Sequence, residues 1–437
     1  MRWRWTWRTV YVGRAVGEET TKGMGVLAKA QAGLRLGLLA VVLVTTLVTA
    51  TFGGPIGVYL GLIAGILSVI LCFDGLMLKL ALQDWGVRCF LASFLLLELA
   101  FILSAPAGGD AMAFVDFLAL PVVVPLFALV ARYGGANRTV LFAVMAAVGC
   151  LAALAHGLYE VKVLGSGRAQ GNTSAIYFSN LSVLLGAFAL WGLVVVEKWW
   201  RWVFVAAFAC AMGAAVLGGT RGSIITAGAV FLVFAVYMVF VWPRPLGVKL
   251  GVVVGTLALA VAALFLLFDM SRMITFFGAA TDVAAKQTTS DVSATIRLML
   301  YNAAVHSFLD APIFGHGWWQ RFAAAMPYMT GVDSSFALDN TQHLHNDVLN
   351  FASGAGVIGV VAYLILMAGP VASAIASAKD SGRPLRIAIA TSLTAAYVAM
   401  GLTDTMFVFE TPKSIYVLSA AIVMAFFLEA RPVPKST

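Results

Sequence analysis

The segment HLHNDVLNFASGAGVIG, His343–Gly359, places two of the chain's five histidines at the entrance to a hydrophobic run. Imidazole is the side chain best suited to exchange a proton near neutral pH. If a helix starts at His345, then Leu349, Ala352, Gly356 and Gly359 fall on one stripe beneath it. Glycines on such a stripe let a second helix pack closely within a bilayer. Asn346 and Asp347 stand where side chains satisfy the free N–H groups of a first turn. The positive end of the helix dipole disfavours imidazolium there, which would leave His345 neutral, as a general base must be. The plainer alternative is an interfacial histidine that only caps a span. His343 and His345 are two residues apart and would diverge on a helix, so no metal site is expected.

Three arginines stand in polar gaps or on amphipathic sequence: Arg168 in GSGRAQGN, Arg221 in LGGTRGSIITAG, and Arg297 in DVSATIRLMLYNAAVHSFLDAP. Arginine close to hydrocarbon is costly and usually has an anionic partner. Its planar fork suits phosphate oxygens in pairs. Snorkelling to lipid headgroups is the competing role, and Arg221, in a glycine-flanked turn, has least room for it. No G-x-x-x-x-G-K-[ST] phosphate loop, no Asp-x-Asp in an aqueous gap and no H-E-x-x-H occurs. Glu98, inside an apolar run, and Asp404, at the edge of another, would suit the proton path of a secondary transporter.

These residues must be positioned by elements that use lipid as solvent. The chain has 437 residues, of which 61% are hydrophobic and 11% charged. Soluble domains average about 25% charged residues. Apolar runs of roughly 20 residues point to helices rather than a barrel. The reading is an all-α polytopic membrane protein of about twelve spans, near 35–52, 55–73, 85–104, 112–131, 139–157, 174–196, 202–218, 222–242, 248–268, 346–369, 385–403 and 413–429. A basic tail over 1–34, rich in Trp and Arg, precedes spans one to nine over 35–268. A long loop over 269–345 follows, and it is expected to carry about two amphipathic helices, one running from Asp291 or Ser293 to just before Pro312. Spans ten to twelve over 346–429 and a short tail over 430–437 complete the chain.

Alternating the loops puts 20 of the 28 Lys and Arg on the side of the termini, which assigns both termini to the cytoplasm and the long loop to the opposite face. The net charge of +8 therefore reflects topology rather than nucleic-acid binding. Cys72, Cys89, Cys150 and Cys210 all fall in apolar runs, so neither a disulfide framework nor a thiolate metal site is expected.

His345-Asn346, nine further residues, then Gly356-x-x-Gly359 match the H-[NSQ]-x9-G-x-x-G pattern of the bacterial O-antigen ligase and polymerase superfamily (WaaL and Wzy types). RAQGNTSAIYFSNLS, GGTRGSIITAG and TIRLMLYNAAVHSFLDAPIFGHGW resemble three further segments of that family, in the same order. The resemblance covers roughly Arg168 to Ala372. It implies a GT-C-like, metal-independent, inverting glycosyltransferase of the inner membrane, without a cofactor, acting on the periplasmic face. The donor would be a glycan on undecaprenyl diphosphate and the acceptor a sugar of lipid A-core, among membrane lipids. His345 would be the base and Arg221, Arg297 and Arg168 the diphosphate ligands, with His343, His316, Asp347 and Asn346 in support. The pattern does not separate ligase from polymerase. A third relative, which glycosylates proteins, usually has a longer C-terminal portion, and here the chain ends soon after the last span, at EARPVPKST.

Overall fold

The computed structural model describes residues 26–104, 109–133, 138–267, 292–329 and 343–427. It is 80% helical, and the described residues contain no strand. In chain order the helices are α1 (Val26–Leu47), α2 (Gly54–Leu71), α3 (Gly75–Gln83), α4 (Trp85–Ser104), α5 (Val123–Ala131), α6 (Arg138–Leu158) and α7 (Ala175–Leu190). They continue as α8 (Trp202–Gly218), α9 (Gly222–Phe240), α10 (Leu246–Leu267), α11 (Val292–Asp310), α12 (Arg321–Ala325), α13 (Asp347–Ala376), α14 (Arg383–Thr403) and α15 (Glu410–Ala425). Nine helices among the described residues are long and apolar enough to cross a membrane. The chain is a multi-pass, all-α membrane protein.

Two of the twelve expected spans take other forms. The span expected over 112–131 is a 3-10 helix, Gly109–Phe117, followed by the short α5. Pro121 has no N–H to continue a helix, whereas Pro125 is tolerated near the start of α5, where N–H groups have no helical acceptor. The last expected span is α15, only 16 residues long. The span expected over 248–268 is α10, a 22-residue helix that covers Leu246–Leu267. Helix α1 starts inside the tail expected over 1–34, because VLAKAQA carries strong helix formers. The remainder of that tail, residues 269–291 and 330–342 of the long loop, the last residues of the ninth and twelfth expected spans (268 and 428–429) and the C-terminal tail lie outside the described residues.

Two helices make the centre. The stretch Ala175–Val195 is 89% buried in its most apolar window, and α15 is buried from Thr411 to Ala425. Helices apolar on every side belong in such positions. Small residues set the contacts around them. A Cβ at Gly186 would stand 2.8 Å from Ala211 on α8, and one at Gly86 on α4 would stand 2.7 Å from the Gly369 carbonyl of α13. Ser93 on α4 also donates to the Ala362 carbonyl at 2.8 Å.

Helix α13 is broken at Gly356, whose φ of +61° and ψ of −154° are non-helical. A break in apolar surroundings leaves backbone groups that need partners. The loop 312–317, sequence PIFGHG, supplies them. The amides of His316 and Gly317 donate to the Ser353 and Gly354 carbonyls, each at 2.9 Å, and the Val357 amide donates to the Pro312 carbonyl at 2.8 Å. Thus the close neighbour at Gly356 is loop backbone, not a packed helix: a Cβ there would stand 2.3 Å from the Ile313 carbonyl oxygen. At Gly359 the nearest atoms belong to Ala355 and Phe351 of the same helix, because the break brings that turn back on itself. The expected helix-packing role of the two glycines is therefore replaced by a role in the break.

Candidate functional site

The site forms where the segment before α13 meets the segment after α14. Asn346 is the N-cap of α13, its side chain accepting from the Leu349 amide at 3.1 Å. His345 therefore precedes the helix and does not head the stripe expected beneath it. It has φ +49° and is the single non-glycine residue with positive φ among the described residues. Such strain persists only where the surroundings impose it, and it clusters at functional positions. Here the surroundings are the Tyr301 hydroxyl, within 3.0 Å of the His345 carbonyl and 3.2 Å of the Leu402 carbonyl, and the Asn346 side chain, whose Nδ2 donates to the Leu402 carbonyl at 3.2 Å.

These ties turn His345 toward Asp404, with Nδ1 3.1 Å from Oδ1. Asp404's side chain is only 4% exposed and that of His345 19% exposed. Burial pushes the Asp404 carboxyl up, but the His345 hydrogen bond, the two neighbouring imidazoles and the Thr405 amide bring it below the usual range. An ionised carboxylate only accepts, so Nδ1 carries the hydrogen of this bond, and in the neutral tautomer Nε2 is the nitrogen with the lone pair. His343 lies alongside, its ring centroid 4.3 Å from that of His345. Its Nε2 is 3.8 Å from Asp404 Oδ1. Burial first, and then His345, lower its pKa to about 4. The two histidines converge because 343–346 is not helical, contrary to the divergence expected of them. One ligand atom each from His343, His345 and Asp404 lies within 4.8 Å of the others, a grouping able to hold a metal ion.

Asp347 does not cap its own helix. Fully buried, it accepts from Thr405 Oγ1 at 2.9 Å, the Met406 amide at 2.9 Å and the Phe407 amide at 3.1 Å. It thereby clamps the turn that presents Asp404. Gly401 makes room, since a Cβ there would stand 2.6 Å from Asp347 Oδ2. Asn350 adds a second tie, donating to the Asn346 carbonyl at 2.8 Å and accepting from Arg321 Nε at 3.0 Å.

The arginines divide. Arg221 opens α9, and the next residue abuts the site: a Cβ at Gly222 would stand 2.7 Å from Thr403 Oγ1, one residue before Asp404. Arg297 lies one turn before Tyr301 on α11, bonded to Ser293 at 3.2 Å, with its buried Nε lacking a hydrogen-bond partner among the described residues. Arg168 sits elsewhere, donating to the Gly218 carbonyl at 3.0 Å and the Gly219 carbonyl at 2.6 Å. These are the last carbonyls of α8, so Arg168 fixes the turn that delivers Arg221. His316 also stands apart, its Nε2 2.8 Å from the Ser307 carbonyl within the loop that fills the α13 break.

Sequence reasoning gave Asp404 a different role and overlooked Arg321. Arg321 is buried, lies 4.2 Å over the Trp318 ring, and is held by Asn350. Burial lowers its pKa to about 10 against the opposing pull of Asp116, Asp110 and Asp347, so it stays charged at neutral pH. The neighbouring Trp318-Trp319-Gln320 was the only signal available, and it did not indicate burial.

A histidine–carboxylate pair thus stands at the mouth of a broken helix in a multi-pass membrane protein, with arginines on adjoining turns. Residues 206–364 match the model of the O-antigen ligase family. The match is consistent with the O-antigen ligase and polymerase superfamily, whose members are glycosyltransferase-like and use lipid-linked glycans. It spans Arg221, Arg297 and the His345–Gly359 motif, while Arg168 and Asp404 lie outside it. Comparison with curated proteins returns no match.

Proposed function

We propose that the protein is an O-antigen ligase that transfers a polysaccharide from undecaprenyl diphosphate to a sugar of lipid A-core on the periplasmic face of the inner membrane. The observation that carries this reading is the His345–Asp404 pair inside a chain whose residues 206–364 match the O-antigen ligase family. Diphosphate is a good leaving group, so the main demand is to stabilise its growing charge. Arg221 and Arg297 meet that demand, with Arg168 acting through the Arg221 turn. The acceptor hydroxyl attacks the anomeric carbon as the bond to the diphosphate breaks. His345 Nε2 takes the hydroxyl proton, and Asp404 stabilises the imidazolium. Attack from the face opposite the leaving group inverts the anomeric centre.

The test is transfer in vitro. Purified protein is incubated with undecaprenyl-diphosphate-linked glycan and lipid A-core, in EDTA and without nucleotide. The expected result is glycan on the lipid A-core band with wild type and none with His345→Ala. Glycan lengthening on its own carrier would make the protein a polymerase instead. Transfer that survives in His345→Ala would remove the base from the scheme. A secondary transporter would show neither product, would carry substrate across the membrane and would depend on Glu98 or Asp404.

A further inference from the structure

We infer that His343, His345 and Asp404 form a binding site for a zinc-class divalent cation, and that filling it switches the transferase off. The switching half rests on the function proposed above; the binding half does not. Asp404 is the common vertex, its Oδ1 lying 3.1 Å from His345 Nδ1 and 3.8 Å from His343 Nε2. All three ligand atoms fall within 4.8 Å of one another. Ligand atoms on a tetrahedral zinc are roughly 3.3 Å apart, given metal–ligand bonds of about 2.0–2.1 Å. Small side-chain rotations therefore close the set around an ion.

A second observation points the same way. Asp404 Oδ2 is buried and has no hydrogen-bond partner among the described residues. A buried carboxylate oxygen without a donor is costly, and a cation coordinated by Asp404 would relieve it. Two imidazole nitrogens and one carboxylate select a borderline ion such as zinc over magnesium or calcium, which favour all-oxygen sets. A fourth position remains for water.

Coordination and catalysis compete for the same atoms. An ion on His345 Nδ1 replaces the hydrogen of the Asp404 bond, and the neutral ring then carries its proton on Nε2. That nitrogen can donate but can no longer accept the proton of an attacking hydroxyl. The ion also occupies the carboxylate that would stabilise imidazolium. The occupied site is thus a resting state, reversed by a chelator.

Cobalt(II), a spectroscopic stand-in for zinc, tests the site directly. Purified full-length protein in detergent, stripped with EDTA, is titrated with cobalt and then with zinc. Visible absorption bands should saturate at one cobalt per chain and be displaced by zinc. His343→Gln and Asp404→Asn should each weaken binding at least tenfold while eluting as wild type on gel filtration. His316→Gln should bind as wild type does. No saturable spectrum, or one unchanged in both His343→Gln and Asp404→Asn, would overturn the site. In parallel, zinc should abolish wild-type glycan transfer over the range in which it displaces cobalt, and EDTA should restore it. The zinc concentration for half-inhibition should rise at least tenfold in His343→Gln, relative to that variant's own zinc-free rate. Full transfer with the site filled would overturn the switch. Absence of transfer in metal-free wild type would count against the proposed function alone, because the spectrum reads the site independently.

Discussion

Two histidines flank the first half of α13 and are built for different work. His316 lies at the break, its Nε2 against the Ser307 carbonyl and its amide on the Ser353 carbonyl. An imidazole that donates to a backbone carbonyl inside the fold is a strut, tying the loop that fills the break to α11. His345 lies at the mouth, on a strained backbone, with Nδ1 on a buried carboxylate. That carboxylate fixes the tautomer and stabilises the charged ring. The difference lies in the acceptor, not in the histidine or its distance from the helix.

The sharpest way to break the comparison is to exchange the consequences. His345→Ala should reduce glycan transfer about a thousandfold, roughly 4 kcal/mol of barrier, with the protein still purifying as a monodisperse species. His316→Gln, which can still donate to Ser307, should stay within about threefold of wild type in the same assay. A large kinetic loss at His316 would mean that the loop filling the break carries catalytic function as well. Next in size is Gly356→Ala, which forces a Cβ into φ +61° against the Ile313 carbonyl. A backbone conformation that glycine almost alone adopts costs about 1–3 kcal/mol for alanine, and the overpacking about 1–3 kcal/mol more. A sharply lowered unfolding temperature in detergent is the expected result, and unchanged stability would show that the break relaxes without the loop.

How much of this was legible follows from where each signal sits in the chain. The hydropathy runs gave the membrane class, since a charged content of 11% admits few alternatives. The prolines at 121 and 125 were visible, but whether they shorten a span depends on what α5 packs against. His345 and its motif were legible because the pattern is local. Asp404 was visible only as an acid at a span edge; its pairing with His345 closes across 59 residues, and no periodicity encodes such a contact. Asp347 looked like a first-turn cap and is instead a clamp on the 405–407 turn, because tertiary donors took its oxygens before its own helix could. Arg168, Arg221 and Arg297 all read as diphosphate ligands, with Arg221 set apart only by its glycine-flanked turn. Only their neighbours separate the one that braces a helix end from the two that adjoin the site.

Asp404→Asn comes next in expected effect. Asparagine can keep a hydrogen bond to His345 but carries no charge to stabilise imidazolium, so transfer should fall about a hundredfold with KM little changed. A fall of less than about threefold would reduce Asp404 to a steric guide and weaken the contrast with the carbonyl-bound His316.

The smallest expected effects fall among the arginines. Lysine keeps the charge of arginine but loses the paired fork. Arg221→Lys and Arg297→Lys should each lower kcat/KM for the lipid-linked donor by about ten- to a hundredfold, since each loses a two-point hold on diphosphate. Arg168→Lys should cost about threefold, because a single ammonium can still satisfy one of the two carbonyls at the end of α8. Its effect should also vanish in an Arg221→Lys background if Arg168 acts only by setting the Arg221 turn, a non-additivity that a double-mutant cycle measures directly. Additive losses would instead mean that Arg168 touches the donor itself, and the division between bracing and binding arginines would have to be redrawn.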